Sequence, residues 1–329
     1  MAACKNRIVN LGSLESVTRM RRWVRTRGRD ADAHAALASR HLPLPPGLTI
    51  QWLGTAGYRL DYEGQTLLID PYLSRVSMRD VVTRAPARPN PARLDEFLGD
   101  VTAVAGVLVG HTHFDHAVDA PEIARRFGCS AYGSESLRRL MTLHGLGDRA
   151  KVVTPHQRYD LGPFVVSFTP SRHSKLIAGL AVPSDGELTC EHLDGLSSSA
   201  YRCGQVWGIR IEVAGITIYH QGSADVVEEE LTDGPVDVLL AGIAGRYASP
   251  GYFETIIRRL SPGIIVPGHY DNFFEPLGTP IEFSLNVNLE AFVEEIERIS
   301  RNVELVGLPV VGGASSTDGT GSIFMHKRA

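Results

Sequence analysis

The spacing of apolar residues changes character near residue 48 and divides the chain into a short arm and a long body. Within residues 1–47 an alanine-rich stretch, Ala31 to Ala38, precedes Pro43, Pro45 and Pro46, which reads as a helical arm followed by a proline-rich linker. The arm's Leu11, Leu14, Val17, Trp23 and Val24 carry too much apolar surface for a helix solvated on all sides. It is therefore expected to pack across the body or against a second copy of the chain. From Leu48 the spacing becomes that of strands. Thr49, Ile50 and Trp52, then Tyr58 to Tyr62, then Thr66 to Ile69, with Gly54, Gly57 and Gly64 between them, predict an antiparallel meander. Val101 to Val109 is a continuous apolar run ending at Gly110, the pattern of a fully buried strand. Asp119 to Phe127, with Pro121 early and Gly128 after, has the start and stop signals of a helix.

Short strands are then predicted at Val152–Val153, Phe164–Thr169, Gly208–Val213, Ile216–Tyr219, Val236–Leu240, Ile264–Val266 and Val303–Leu305. Helices are predicted at Ser134–Leu143, Pro250–Leu260 and Asn288–Ser300, the last with Leu289, Phe292, Val293 and Ile296 on one face. Strand-rich segments alternating with helices in two successive halves predict two sheets covered outside by helices.

Composition narrows the functions open to such a body. With 329 residues, 43% of them hydrophobic, and a formal net charge of −4, the chain can build a sizeable core and lacks the overall basic charge of a general nucleic-acid binder. The local basic run Arg19 to Arg25 reads as a solvated helix face with Trp23 beneath it. Cys4, Cys129, Cys190 and Cys203 form no C-x-x-C pair, so a reduced, cytoplasmic setting is expected rather than a disulfide framework. The longest apolar stretch is about half a membrane span, and the first twenty residues hold no apolar core of a signal peptide, so no membrane span is expected.

Chemistry is concentrated in Gly110-His111-Thr112-His113-Phe114-Asp115-His116, where the buried strand leaves the core. Residues two apart in an extended segment point the same way, so His111 and His113 can offer imidazole nitrogens to one cation. Asp115 and His116, beyond the turn, can serve a second.

This string resembles the metal-binding motif of the metallo-β-lactamase superfamily. The order of features also matches that family from about Leu48 to the end: a glycine-rich meander, Leu68-Ile69-Asp70-Pro71, the histidine string, an isolated His173 after a strand, a glycine turn after another strand, and Pro267-Gly268-His269. The resemblance implies an α/β fold, a four-layer αββα sandwich over residues 48–329 with the N-terminal helical arm outside it and metals at one edge between the sheets. It implies His111, His113 and His173 as ligands of a first metal and Asp115, His116 and His269 as ligands of a second. The family's bridging aspartate follows directly after a glycine at a strand end. Here that position is Ser223, and Asp225, two residues on, is expected to bridge instead because a carboxylate can span two cations. Asp70 is a candidate partner behind the metal histidines. Cys190 and Cys203 flank a glycine- and serine-rich insert and are expected to pack, while Glu191, His192 and Tyr201 are candidate substrate contacts.

The implied cofactors are two divalent ions, zinc first, with manganese and iron also compatible with the ligand set. The implied activity is hydrolysis by a metal-bound hydroxide, with Asp115 orienting it, on a small-molecule lactone or other ester, or a phosphodiester. The strings Gly54–Leu60, Leu67–Leu73 and His269–Phe273 are most similar to the subgroup of ascorbate-phosphate lactonases and N-acyl-phosphatidylethanolamine phospholipase D. No nucleic-acid partner is expected, and a homo-oligomer could form through the arm. The competing readings are an iron-dependent oxidoreductase of the same superfamily and an inactive metal-binding member, which Ser223 keeps open.

Overall fold

The computed structural model describes residues 28–176, 181–232, 234–276, 281–285 and 287–309. Strands β1 (Thr49–Trp52), β2 (Tyr58–Tyr62), β3 (Gln65–Ile69), β4 (Val104–Leu108), β5 (Ala131–Gly133) and β6 (Ala150–Val152) lie side by side in that order in one sheet. The second sheet holds β7 (Tyr159–Leu161), β8 (Phe164–Ser171), β9 (Val206–Val213), β10 (Ile216–Gln221), β11 (Val238–Gly242), β12 (Ile264–Gly268) and β13 (Glu304–Leu305), again in chain order.

Each sheet begins antiparallel and continues parallel. β1 to β3 and β7 to β10 are antiparallel neighbours, whereas β3 to β6 and β10 to β13 run parallel. The β2–β3 and β9–β10 hairpins close with two-residue turns. Glu63-Gly64 and Ala214-Gly215 have positive φ at both positions, the conformation that matches the twist of the flanking strands. Parallel neighbours need a crossover, and here helices supply most of them. α2 (Met78–Thr83) and α3 (Pro91–Leu98) join β3 to β4, and α4 (Phe114–Ala117) with α5 (Ala120–Phe127) joins β4 to β5. α6 (Glu135–Leu143) joins β5 to β6, α7 (Tyr252–Leu260) joins β11 to β12, and α8 (Leu289–Ile299) joins β12 to β13.

Alternation along β3 sets the layers. Leu67 and Ile69 point into a core shared with Phe164, Phe168 and Ile209 of the second sheet. Leu68, between them, points into a separate core with Leu94, Phe97, Ile123 and Leu140 of α3, α5 and α6. Phe253 and Ile256 of α7 and Phe292 and Ile296 of α8 cover the second sheet. The result is the helix–sheet–sheet–helix sandwich that the resemblance implies.

The predicted elements correspond to observed ones with shifts of a few residues. The buried strand is shorter than its apolar run, spanning Val104–Leu108. α2, α3, α4, β5 and β7 have no counterpart among the predicted elements. α2 has no buried residue and so no apolar face to read; Ser77 starts it, its hydroxyl accepting from the Asp80 N–H.

The described part of the arm is a helix over 28–38, α1, and it docks beside β13 and the start of α8. Leu37 and Leu42 are buried in the inter-sheet core, the Gly307 N–H donates to the Leu37 carbonyl, and Arg40 donates to the Leu305 carbonyl. Leu11, Leu14, Val17, Trp23, Val24, the basic run and Cys4 lie outside the described residues. No helix among the described residues is long and apolar enough to cross a membrane.

Candidate metal centre

Because β8 and β10 are both antiparallel to β9, and β10 to β12 are parallel, β8, β10 and β12 all end at one edge of their sheet. His173 follows β8, Ser223 follows β10 and His269 follows β12. From the other sheet, His111 leaves the end of β4, and α4 carries Asp115 and His116. The two sheets are tied together there: the Trp207 N–H donates to the Gly110 carbonyl at 2.7 Å and the Thr112 N–H to the Cys203 carbonyl at 2.8 Å.

Six of the seven expected metal ligands meet at this edge. His111, His113 and His173 form one group and Asp115, His116 and His269 another, each with three donor atoms within 4.8 Å of one another. The first three rings stand nearly perpendicular to one another with centroids 4.7–4.9 Å apart, and the His111 and His116 rings, 3.8 Å apart, link the groups. Asp115 Oδ2 lies 3.4 Å from His269 Nε2 and 3.6 Å from His116 Nε2.

Hydrogen bonds behind the rings decide which nitrogen faces the centre. His116 Nδ1 is 2.8 Å from Asp70 Oδ2, and His173 Nδ1 is 2.7 Å from the Ser174 carbonyl, so both present Nε2. His113 is turned over. Its Nε2 donates to the Pro183 carbonyl at 2.8 Å, leaving Nδ1 to face His111 Nε2 at 3.0 Å.

Asp70 is wholly buried, and its other oxygen accepts from the Gly110 N–H at 2.6 Å. A side chain at Gly222 would meet Asp70 Oδ2 at 2.8 Å, so that glycine is what lets the carboxylate sit so close to β10. His220 also points inward but is engaged with the Ala56 carbonyl at 2.9 Å.

The donor set fits divalent cations. Burial, reinforced by His116, His113 and His173, holds His111 well below the ordinary histidine value; burial also lowers His113 and brings His173 down to about 3. All three are therefore neutral at pH 7, the form that binds metal. Burial also pulls His116 down, but Asp115 and Asp70 outweigh it and raise its value. Burial pushes Asp115 up, but His116 and His269 hold it below the usual carboxylate range. The buried Nδ1 atoms of His111 and His269 have no hydrogen-bond partner among the described residues.

Asp225 is not brought to this centre, contrary to the sequence-based expectation. The Gln221 side chain donates to the carbonyls of both Ser223 and Asp225, and Asp225 Oδ1 accepts from the neighbouring Val226 N–H. Ser223 faces the pocket instead, its hydroxyl accepting from the Ser174 N–H at 3.3 Å.

The insert after His173 reaches the pocket through Ser174, Leu176, Pro183, Ser184 and Ser198. Tyr201 is buried with its hydroxyl donating to the Ala87 carbonyl, Cys203 is buried, and Glu191 and His192 are exposed, so none of these four lines the pocket.

A clamp that the sequence reading missed supports His269. The His269 N–H donates to the Thr55 carbonyl, and the Thr55 N–H donates to Asp271 Oδ1, whose other oxygen is bound by the buried Arg75 at 2.8 Å. Only the spacing of Asp271 two residues after His269 hints at it.

The family model described as "Beta-lactamase superfamily domain" matches residues 49–269. The chain is 28% identical over 275 residues to a UPF0173 metal-dependent hydrolase of Cupriavidus taiwanensis, covering 79% of this chain and 89% of that protein. It is also 28% identical over 267 residues to one of Anaeromyxobacter dehalogenans, covering 75% and 84%. Among solved structures, CmlA, a diiron β-hydroxylase from Streptomyces venezuelae, shares the fold at 14% identity and a TM-score of 0.51, over 81% of this chain and 54% of that one. Every residue of the two donor groups falls within the matched segment, and the chain belongs to the beta-lactamase superfamily.

Proposed function

We propose that this protein is a metal-dependent hydrolase that cleaves a small-molecule lactone or other ester, or a phosphodiester, at the edge where the two donor groups meet. The observation that carries the reading is the pair of three-donor groups, of which His113, Asp115, His173 and His269 line an open pocket. The names of the UPF0173 relatives support the hydrolytic part. The strings around Gly57, Asp70 and His269, which resemble lactonases and phospholipase D enzymes of the superfamily, support the substrate classes.

Two divalent cations, zinc first and manganese or iron as alternatives, would supply the Lewis acid and the acidified water that such hydrolysis needs. The rest is done by the chain. His111, His113 and His173 hold one cation and Asp115, His116 and His269 the other. Asp115, ionised and at the pocket wall, orients the attacking water by accepting one of its protons in a hydrogen bond. The water oxygen joins the carbonyl carbon or phosphorus, the ester bond breaks, and the alcohol leaves with a proton. The three described free cysteines, Cys129, Cys190 and Cys203, agree with action in the cytoplasm.

The test is elemental analysis of the purified protein together with turnover of a panel of lactones, phosphodiesters and thioesters. Two metals per chain, lower occupancy in His111→Ala and in His116→Ala, and turnover abolished by chelation are expected. Full metal in both variants would overturn the ligand assignment, and no turnover with two metals bound would overturn the hydrolase.

A further inference from the structure

We propose that the pocket selects a small, neutral ester or lactone with an apolar acyl side, and discriminates against phosphorylated substrates, with Phe273 as the principal specificity-determining residue. This rests on the hydrolytic reading above and narrows it. The cavity beside the donors measures about 180 Å³, below the roughly 300–1,000 Å³ of sites for drug-sized ligands, so the reacting molecule is small.

Beside the donors the lining is largely apolar, with Phe114, Leu176, Pro183, Ala244 and Phe273. Its aromatic part is held by packing. Phe273 lies against Phe274 at 4.3 Å and meets the His269 ring edge-to-face at 5.8 Å, and Phe114 packs on Tyr72 at 5.9 Å. Leu176, nearly half exposed at the rim, extends the apolar surface outward.

The remaining lining side chains are hydroxyls, from Ser174, Ser184, Ser198 and Ser223. Among the described lining residues there is no lysine or arginine, whereas recognition of a phosphate group ordinarily enlists such side chains. The two most deeply buried arginines nearby are committed elsewhere. Arg75 is paired with Asp271, and Arg246 with Glu295 and the carbonyls of Val287 and Asn288. The stretches that continue from Leu176 and Pro276 in the sequence, Ile177-Ala178-Gly179-Leu180 and Leu277-Gly278-Thr279-Pro280, contain no ionisable side chain. A phosphate group on the substrate would therefore shed its water against phenyl rings and gain no cationic side chain from the described lining, Lys175 between Ser174 and Leu176 being exposed and outside it.

The experiment uses the full chain loaded with zinc. kcat/KM is measured for p-nitrophenyl acetate, butyrate and hexanoate, for γ-lactones of rising alkyl length, for 6-phosphogluconolactone and for bis(p-nitrophenyl) phosphate. At ~0.8 kcal/mol per buried methylene, kcat/KM should rise about fourfold for each added CH₂ until the cavity is full. The neutral substrates should exceed the phosphorylated ones by at least tenfold. Phe273→Ala should flatten the chain-length dependence, Phe273→Leu should keep most of it, and Phe273→Arg should shift the preference toward 6-phosphogluconolactone. A wild-type preference for the phosphorylated substrates, or a chain-length dependence that Phe273→Ala leaves intact, would overturn the proposal. If nothing in the panel turns over, the hydrolase reading fails, and calorimetry with unreactive alkyl lactams decides the pocket separately. Affinity rising with alkyl length supports the selectivity, and no rise overturns it.

Discussion

Asp70 shows how one carboxylate can organise a site it does not itself line. It binds His116 Nδ1 with one oxygen and the Gly110 N–H with the other, so it fixes both the ring and the end of β4 from which His111 departs. Replacing it by Asn keeps the volume and one acceptor but presents an amide or a weaker acceptor to His116. Asp70→Asn should weaken metal binding at the Asp115–His116–His269 group by about 10–100-fold, measured by competition with a chromogenic chelator. Unchanged affinity would mean that the ring is held by packing alone. Asp225→Asn, in contrast, should retain the metal content of the wild type, because Asp225 Oδ1 already serves the Val226 N–H. Loss of one metal in that variant would return Asp225 to the centre. The six converging donor side chains were legible in the sequence because each stands just after a strand or within the histidine string. Asp225, the expected seventh, instead serves the Val226 N–H while Gln221 gathers the carbonyls of Ser223 and Asp225, an arrangement the spacing of residues does not encode.

At the level of elements, the longer strands and helices could be read because each has two faces with different neighbours, whereas the three-residue strands β5 and β7 and the segments between β3 and β4 could not. α2 has no buried residue, and α3, which buries Leu94, Phe97 and Leu98, sits in a proline-rich stretch that obscures its period. What holds the start of this crossover is Asp119, which precedes α5. Its wholly buried carboxylate accepts from the N–H groups of Leu73 and Ser74 and from the Ser74 hydroxyl, and that hydroxyl in turn accepts from the Asn90 N–H. Burial raises the Asp119 carboxyl to about 6, against its hydrogen bonds, which favour ionisation. A carboxyl raised in the folded state contributes stability that is complete below the unfolded value near 4 and is lost as pH rises through about 6. Asp119→Asn can satisfy the same donors without titrating. The stability of the wild type relative to Asp119→Asn should therefore fall between pH 4 and pH 7, by up to about 3 kcal/mol, in urea melts. A constant difference across that range would show that Asp119 is already ionised at pH 4. Asp119→Ala leaves two backbone donors and a hydroxyl without their acceptor and should be less stable than Asp119→Asn at every pH, by about 1–3 kcal/mol.

Over the whole molecule, the centre and the arm share one core, the His34 ring of the arm meeting Tyr270, the residue after His269, at 5.9 Å. The donors stand where strands end, at the edge shared by both sheets, while α1 sits against the last strand and last helix of the second sheet. Asp30 accepts from the Glu290 N–H at the start of α8, and Leu37 is 2% exposed against Gly307, whose added side chain would meet Leu37 Cβ at 2.8 Å. That close fit makes the described arm part of the fold's stability and leaves the pocket untouched, since no arm residue lines it. Leu37→Ala should cost about 2–5 kcal/mol and lower the melting temperature, with kcat/KM on the best panel substrate unchanged at a temperature where the variant is folded. We further propose that the arm, in which the sequence places Leu11, Leu14, Val17, Trp23 and Val24, joins two copies of the chain. Light scattering of the full chain should then give twice the chain mass. A chain beginning at Pro46 should give the monomer mass and melt at a lower temperature, because it also lacks the buried Leu37 and Leu42. Equal masses for the two chains would remove the arm from assembly and leave it a stabilising strap. A Leu37→Ala variant that melts like the wild type yet loses turnover would instead connect α1 to the chemistry.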